Sequence, residues 1–214
     1  MTVIPWIREK DGANPTIVEN IERFNFEGEA ILIKEFESTQ FDTPYRTNIS
    51  YDLHVGKEYH KVGEPTKKPL SPGQKISLLP GTSAIIRVME EVHFPRKRFG
   101  QIVSRASLLQ KGIANWVTKV DPGYNGPLFV TVYNFGVEPQ ELSYNDPFCA
   151  LYLLDTSPEG VRPYRGTSKG FEGEFKKSFY QKLSDNFKAH LPIISAITAV
   201  LFLISIIVNI INAF

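Results

Sequence analysis

Between Ser104 and Gly126 the chain reads SRASLLQKGIANWVTKVDPGYNG, and most of its potential chemistry is concentrated there. Arg105 and Ser107 precede a short apolar turn, Leu108–Lys111, that Gly112 stops. A cation, a hydroxyl and the backbone N–H groups of a helix start are what a polyphosphate requires. Many Ser-Arg-x-Ser strings are ordinary turns, so that pattern needs support from elsewhere. Asp121 ends a short strand, is followed by the rigid Pro122-Gly123 turn, and has Tyr124 three residues on. A carboxylate held this way can orient a water or a sugar hydroxyl, or it can simply cap its own turn.

The elements that must position this segment read as strands. Aromatic and β-branched residues are plentiful, and 15 Pro with 15 Gly punctuate the chain, a composition of short strands and turns. Strands are expected over 30–33, 47–56 (ending in a Gly56 turn), 75–79, 83–92, 128–133 and 148–154. Pro80-Gly81 is expected to join 75–79 and 83–92 as a hairpin, and Phe135-Gly136 is a further turn. Together with the shorter runs this makes about nine to eleven strands, the pattern of an antiparallel barrel or jelly roll. Asn14, Pro15, Ile17, Ile21 and Phe24 have the capping and spacing of a short helix over 14–24. Residues 57–73 read as a lysine-rich connection, and Arg96-Lys97-Arg98 as a solvated basic turn.

From Phe175 the pattern changes. Phe175, Phe179, Leu183 and Phe187 recur every four residues, with Lys176, Lys177, Lys182 and Lys188 among them. This predicts an amphipathic helix over 175–190. It suits either an anionic bilayer surface or packing of its aromatic stripe on the barrel. Leu191 to Phe214 carries no charged residue. As a helix it would span roughly 36 Å, enough for a hydrocarbon core of about 30 Å. Residues 191–214 are therefore expected to form a single transmembrane anchor in the lipid bilayer. The lysines before it place residues 1–174, a soluble domain, on the cytoplasmic side. The first residues, MTVIPWIREKDG, lack the layout of a signal peptide.

Charge is almost balanced, 24 Lys+Arg against 23 Asp+Glu, so no global basic field for nucleic acid exists and anions must be bound locally. The single cysteine, Cys149, excludes an internal disulfide. Within FCALYLL it reads as a buried thiol.

Several motifs stand in a familiar order: YDLHVG, LLPGTSAIIRVMEEVHFP, SRASLLQKGI and VDPGYNGPLFVTVYNFG. Together they resemble the dCTP deaminase and trimeric dUTPase superfamily, from about Thr47 to Leu154. The resemblance implies a mainly β, dUTPase-like distorted barrel or jelly roll assembled as a homotrimer. It also implies a deoxynucleoside triphosphate bound between subunits, with Mg²⁺ on its phosphates. By the same resemblance Asp52 falls in the first Asp-Leu motif, and Arg105 and Ser107 in the phosphate motif. Asp121 matches the carboxylate that meets the deoxyribose and, in dUTPases, orients the attacking water. Tyr124 matches the aromatic that rejects a ribose. Arg165 and Phe171 fall in stretches that look like the glycine-rich C-terminal lid.

The departures are specific. Thr131 stands where deaminases carry a glutamate, Gln110 aligns with an arginine, and Ala106 with the first serine of the phosphate motif. Ala150 sits where dUTPases usually place a glutamine. Deamination needs a group that shuttles protons between water, the ring and the leaving ammonia, and neither Thr nor Gln does so at neutral pH. No His/Cys cluster for a zinc deaminase is present. The leading expectation is a membrane-anchored nucleotide diphosphatase with Asp121 as its catalytic carboxylate. A catalytically silent nucleotide-binding or scaffold protein stands second, and a dCTP deaminase third.

Overall fold

The computed structural model describes residues 2–6, 16–18, 20–42, 47–156 and 161–166, together with 190–192, 195 and 202. The chain divides into two compact units, Met1–Val62 with Thr66–Gly173, and Gly63–Pro65 with Glu174–Phe214. In the second, residues 190–192, 195 and 202 are helical, and the Ser195 hydroxyl donates to the Pro192 carbonyl at 2.8 Å. The amphipathic segment expected over 175–190 lies, apart from His190, outside the described residues, as does most of 191–214. Among the described residues no helix is long and apolar enough to cross a membrane.

The first unit is mainly β. Its strands are β1 (Val3–Ile4), β2 (Ile17–Val18), β3 (Ile31–Lys34), β4 (Ser50–Lys61), β5 (Lys68–Pro69) and β6 (Lys75–Leu78). They continue with β7 (Ser83–His93), β8 (Arg98–Ser104), β9 (Ile113–Asn115), β10 (Thr118–Val120), β11 (Asn125–Asn134), β12 (Gln140–Ser143) and β13 (Pro147–Asp155). One short helix, α1 (Ala106–Leu109), lies between β8 and β9. The main sheet runs β10-β8-β13-β4-β7-β11-β9, and β6 pairs with β12 in a small second sheet. Among the described residues every pairing is antiparallel except β2 with β3.

β7 shows why these residues make strands. Its alternate positions Ala84, Ile86, Val88, Glu90 and Val92 are all buried, while the intervening ones are half exposed. That period of two puts one face against the core. β13 is buried along most of its length, and both of its edges are paired, one with β8 and the other with β4, with β1 pairing its end. Its Cys149 is fully buried, as expected, and burial pushes the thiol pKa well up.

Four expectations are corrected. Residues 17–18 form a strand against β3 rather than part of a helix, and only Ile21–Arg23 makes a 3₁₀ turn, capped by the Asn20 side chain. Pairing with β3 and burial of Val18 outweigh the local helical spacing. Gly56 ends nothing, since β4 runs on to Lys61. A Cβ at Gly56 would meet the Arg87 carbonyl oxygen at 2.5 Å, so glycine permits close approach of β4 to β7. β6 and β7 are not a hairpin. Both edges of β7 are taken by β4 and β11, and β6 instead covers the core with β12 through buried Ile76, Leu78 and Leu142. Finally, Arg98 is not solvated. Its side chain is 1% exposed and ties Glu29 (3.4 Å) to Asp155 (3.1 Å).

Candidate functional site

Arg105 caps α1, and its carbonyl accepts from the N–H groups of Leu108 and Leu109 at 3.1 and 3.0 Å. Its guanidinium turns back to the sheet, with Nη1 donating to the Pro147 carbonyl at 2.7 Å and Nη2 lying 3.2 Å from Asp52 Oδ2. Gly112, at φ 80°, then stops the turn where an L side chain would be strained. Asp52 is itself fastened by a side chain that acts like a neighbouring strand. Gln40 Oε1 accepts the Asp52 N–H at 2.8 Å and Gln40 Nε2 donates to the Asp52 carbonyl at 2.9 Å. These residues line a cleft of about 500 Å³ with Ser104, Ala106, Ser107, Ala150 and Tyr152. Among the described residues Asp52 and Arg105 are its charged ones, surrounded by hydroxyls. Asp52, Arg105 and Ser107 thus come together.

Asp121 and Tyr124 sit elsewhere. The Tyr124 N–H donates to the Asp121 carbonyl at 3.0 Å, with Gly123 at φ 80° forming the turn. The Tyr124 hydroxyl donates to the Pro127 carbonyl, and its ring lies 5.5 Å from that of Tyr164. The Tyr164 N–H donates to the Pro122 carbonyl at 2.7 Å, laying that segment over the turn. Lys119 Nζ is 2.7 Å from Asp121 Oδ1. A cleft of about 210 Å³ is lined by Lys119, Asp121, Tyr124, Phe129 and Tyr164. No described residue lines both this cleft and the Arg105 cleft. Within one chain Asp121 does not meet the phosphate-type residues. Arg165 is exposed and lines neither cleft, and Phe171 lies outside the described residues.

The departures separate in the same way. Ala106 and Ala150 line the Arg105 cleft, while Thr131, opposite Ile85 on β7, lines neither. Gln110 is the exposed C-cap of α1. Among the described residues no group of three or more His, Cys, Asp or Glu gathers to hold a metal. Where phosphates supply its oxygens, Mg²⁺ needs few protein ligands.

A third feature was not singled out from the sequence. Glu90, fully buried, accepts from the Tyr51 hydroxyl at 3.0 Å, the His54 N–H at 3.1 Å and His54 Nδ1 at 2.6 Å. His54 Nε2 lies 3.0 Å from Glu37 Oε2, and Glu37 Oε2 also accepts from Gln40 Nε2 at 3.3 Å. Burial lowers the His54 pKa, but Glu90, Glu37 and Asp52 outweigh it, so the pKa lies above its ordinary 6.5. Burial, with Glu90, drives the Tyr51 phenol well above its usual range. Phe36 and Phe41 stack at 6.2 Å on either side of the Glu37–Gln40 segment, and Phe36 stacks on Tyr51 at 5.0 Å. A cleft of about 410 Å³ beside this cluster shares Gln40 and Asp52 with the Arg105 cleft. The signal was available in the sequence. Glu90 falls on the inward parity of β7, where a lone carboxylate demands buried partners.

A family model described as dCTP deaminase-like matches residues 16–156. A dCTP deaminase of Thermococcus gammatolerans is 32% identical over 140 residues, covering 65% of this chain and 85% of the relative. A dCTP deaminase of Pyrococcus furiosus is 31% identical over the same length, with the same coverage. Among solved structures, a 2′-deoxycytidine 5′-triphosphate deaminase from Agrobacterium tumefaciens superposes with a TM-score of 0.48 at 17% identity, covering 56% of this chain and 43% of that one. A dUTPase of Staphylococcus bacteriophage 80alpha gives 0.45 at 14%, covering 67% and 99%.

Proposed function

The chain belongs to the dCTP deaminase-like family, and on that premise we propose that it binds deoxynucleoside triphosphates and cleaves them to monophosphate and pyrophosphate. The supporting observation is the Asp121 turn. Its carboxylate ends β10 beside the Tyr124–Tyr164 ring pair, in a cleft with a cation, Lys119, at hand. A sugar would lie against the rings while the carboxylate orients a water toward the α-phosphate, whose developing charge needs fixed cations. Arg105 and Ser107 supply a cation and a hydroxyl, but in a different cleft of the same chain. The reading therefore includes a homotrimer, in which one copy's Asp121 cleft faces another's Arg105 cleft around an Mg²⁺-bound triphosphate.

Deamination is not proposed, although the relatives above are named dCTP deaminases. Thr131 offers no proton shuttle and lines neither cleft. A second reading, nucleotide binding without turnover, is favoured by one pair of contacts. Asp121 already holds Lys119, and Arg105 already holds Asp52. We also propose that the uncharged stretch 191–214 anchors the protein in a membrane with the barrel on the cytoplasmic side. Retention of the chain in the membrane pellet after alkaline carbonate extraction is the expected result, and release into the supernatant would remove that proposal.

The central test incubates the full-length chain in mild detergent with Mg²⁺ and each of the dNTPs. Pyrophosphate release that drops at least ~100-fold in Asp121→Asn supports hydrolysis. Saturable binding with no pyrophosphate supports the silent reading. Ammonia release from dCTP would overturn both. Light scattering of the same sample reads the trimer directly.

A further inference from the structure

The cleft that carries Arg105 has one wall in common with the buried cluster around His54. That wall is Gln40 and Asp52. Four acidic or phenolic groups converge on the imidazole and its neighbours. Glu90 comes from β7 and Glu37 from the segment before the 3₁₀ turn Ser38–Phe41, while Asp52 and Tyr51 come from β4. From β13 the Cys149 thiol also faces this group, and burial first, then Glu90 and Asp52, raise its pKa and keep it neutral. Arg105, at the cap of α1, is the cation facing this group, 3.2 Å from Asp52. Among the described residues, His54 is the other group there that can carry positive charge.

We propose that the proton on His54 is a charge switch for the Arg105 cleft, holding the cleft competent for anions when present and weakening anion binding when lost. This rests on the reading of the cleft as a phosphate site.

The geometry gives the reason. Protonated, His54 donates from Nδ1 to Glu90 and from Nε2 to Glu37 at once. A neutral imidazole has one N–H and can serve only one of them. Glu90 is fully buried and cannot turn to water, whereas the Glu37 side chain is 48% exposed. The remaining proton therefore stays on Nδ1, and the Nε2 lone pair is left facing the Glu37 carboxylate. The Nε2 proton passes to solvent and the wall loses one positive charge beside Glu37 and Asp52. Glu37 Oε2 is also the acceptor for Gln40 Nε2, and Gln40 holds the Asp52 backbone. The change is thus passed both as charge and through the Gln40 carboxamide to the carboxylate that Arg105 contacts. An anion approaching Arg105 meets a more negative wall and a less firmly placed Asp52.

The experiment measures binding of α,β-imido-dUTP with Mg²⁺ by the full-length chain in mild detergent between pH 5.5 and 9. It compares the wild type with His54→Arg and His54→Gln. Taking the ratio of variant to wild-type dissociation constants at each pH cancels titration of the ligand itself. The His54→Arg ratio is expected to fall several-fold with rising pH as the wild type weakens, while the His54→Gln ratio starts several-fold above one and approaches one at high pH. In the ligand-free protein, the ¹⁵N-edited Gln40 side-chain amide signals are expected to shift with the same midpoint as the His54 ring. Variants that bind and keep the wild-type pH profile overturn the switch. Gln40 signals that follow His54 in a protein that binds no nucleotide leave the proton coupling standing and overturn the phosphate reading instead. Gln40 signals that ignore the His54 titration overturn the coupling itself. Thermal midpoints of all three proteins show whether each variant is folded.

Discussion

The Glu90 carboxylate is the sharpest place to perturb this protein, because three donors depend on it and it has no access to water. Replacing it by alanine leaves the Tyr51 hydroxyl, the His54 N–H and the His54 Nδ1–H without their acceptor. Unmet buried donors cost ~1–3 kcal/mol each, and breaking a buried ion pair ~3–5 kcal/mol in all. A loss of ~4 kcal/mol, at ~2–4 °C per kcal/mol for a domain of this size, lowers Tm by ~8–16 °C. Glu90→Gln is the informative contrast. Its amide keeps one acceptor for the His54 N–H and turns two N–H bonds toward the Tyr51 oxygen and His54 Nδ1. His54 then holds its single proton on Nε2 and stays neutral, so the cost should be smaller. The pH dependence follows from the sign of the shift. The folded His54 pKa lies above 6.5, so the folded state binds the proton more tightly than the unfolded chain. The stability so gained is fully present below about 6.5 and is lost as pH rises through the higher folded value. Wild-type Tm, read by differential scanning fluorimetry between pH 5.5 and 9, therefore carries a falling component that Glu90→Gln lacks. A Glu90→Gln protein with the wild-type slope, or a Glu90→Ala protein within ~2 °C of wild type, would refute the argument.

Three further outcomes are expected. Gly56→Ala drives a Cβ to 2.5 Å from the Arg87 carbonyl oxygen, and chemical denaturation should report a loss of ~3 kcal/mol or more, because backbone cannot yield as a side-chain tip can. Cys149, with its thiol pKa raised by burial, should resist a disulfide exchange reagent at pH 8 and react stoichiometrically once denaturant is added. Arg105→Lys cannot span both the Pro147 carbonyl and Asp52. Fluorescence titration should then show triphosphate affinity reduced roughly tenfold or more, while far-UV circular dichroism is unchanged.

Local features of the chain were set by the residues themselves. Proline, glycine and β-branched alternation define strands such as 83–92, the stop at Gly112 and the Asp121 turn, because each depends on contacts a few residues apart. The mainly β class and the burial of Cys149 follow from the same patterns. Partnership between distant segments was decided only in three dimensions. Nothing local distinguishes a β6 that pairs with β7 from one that pairs with β12, since the choice depends on whether the edges of β7 are already taken. Gly56 carries a turn signal, yet it is a point of close strand approach, visible only against Arg87. The helical spacing at 17, 21 and 24 gave way to pairing with β3. The site divides along the same line. Arg105, Ser107, Asp121 and Tyr124 could be named from type and spacing, and Asp52 only from the family resemblance. Their distribution over two clefts is a property of the folded sheet. The Glu90–His54–Glu37 cluster joins residues from three separate stretches of chain. Its proton affinity comes from their proximity and from exclusion of water, neither of which the linear order of residues contains.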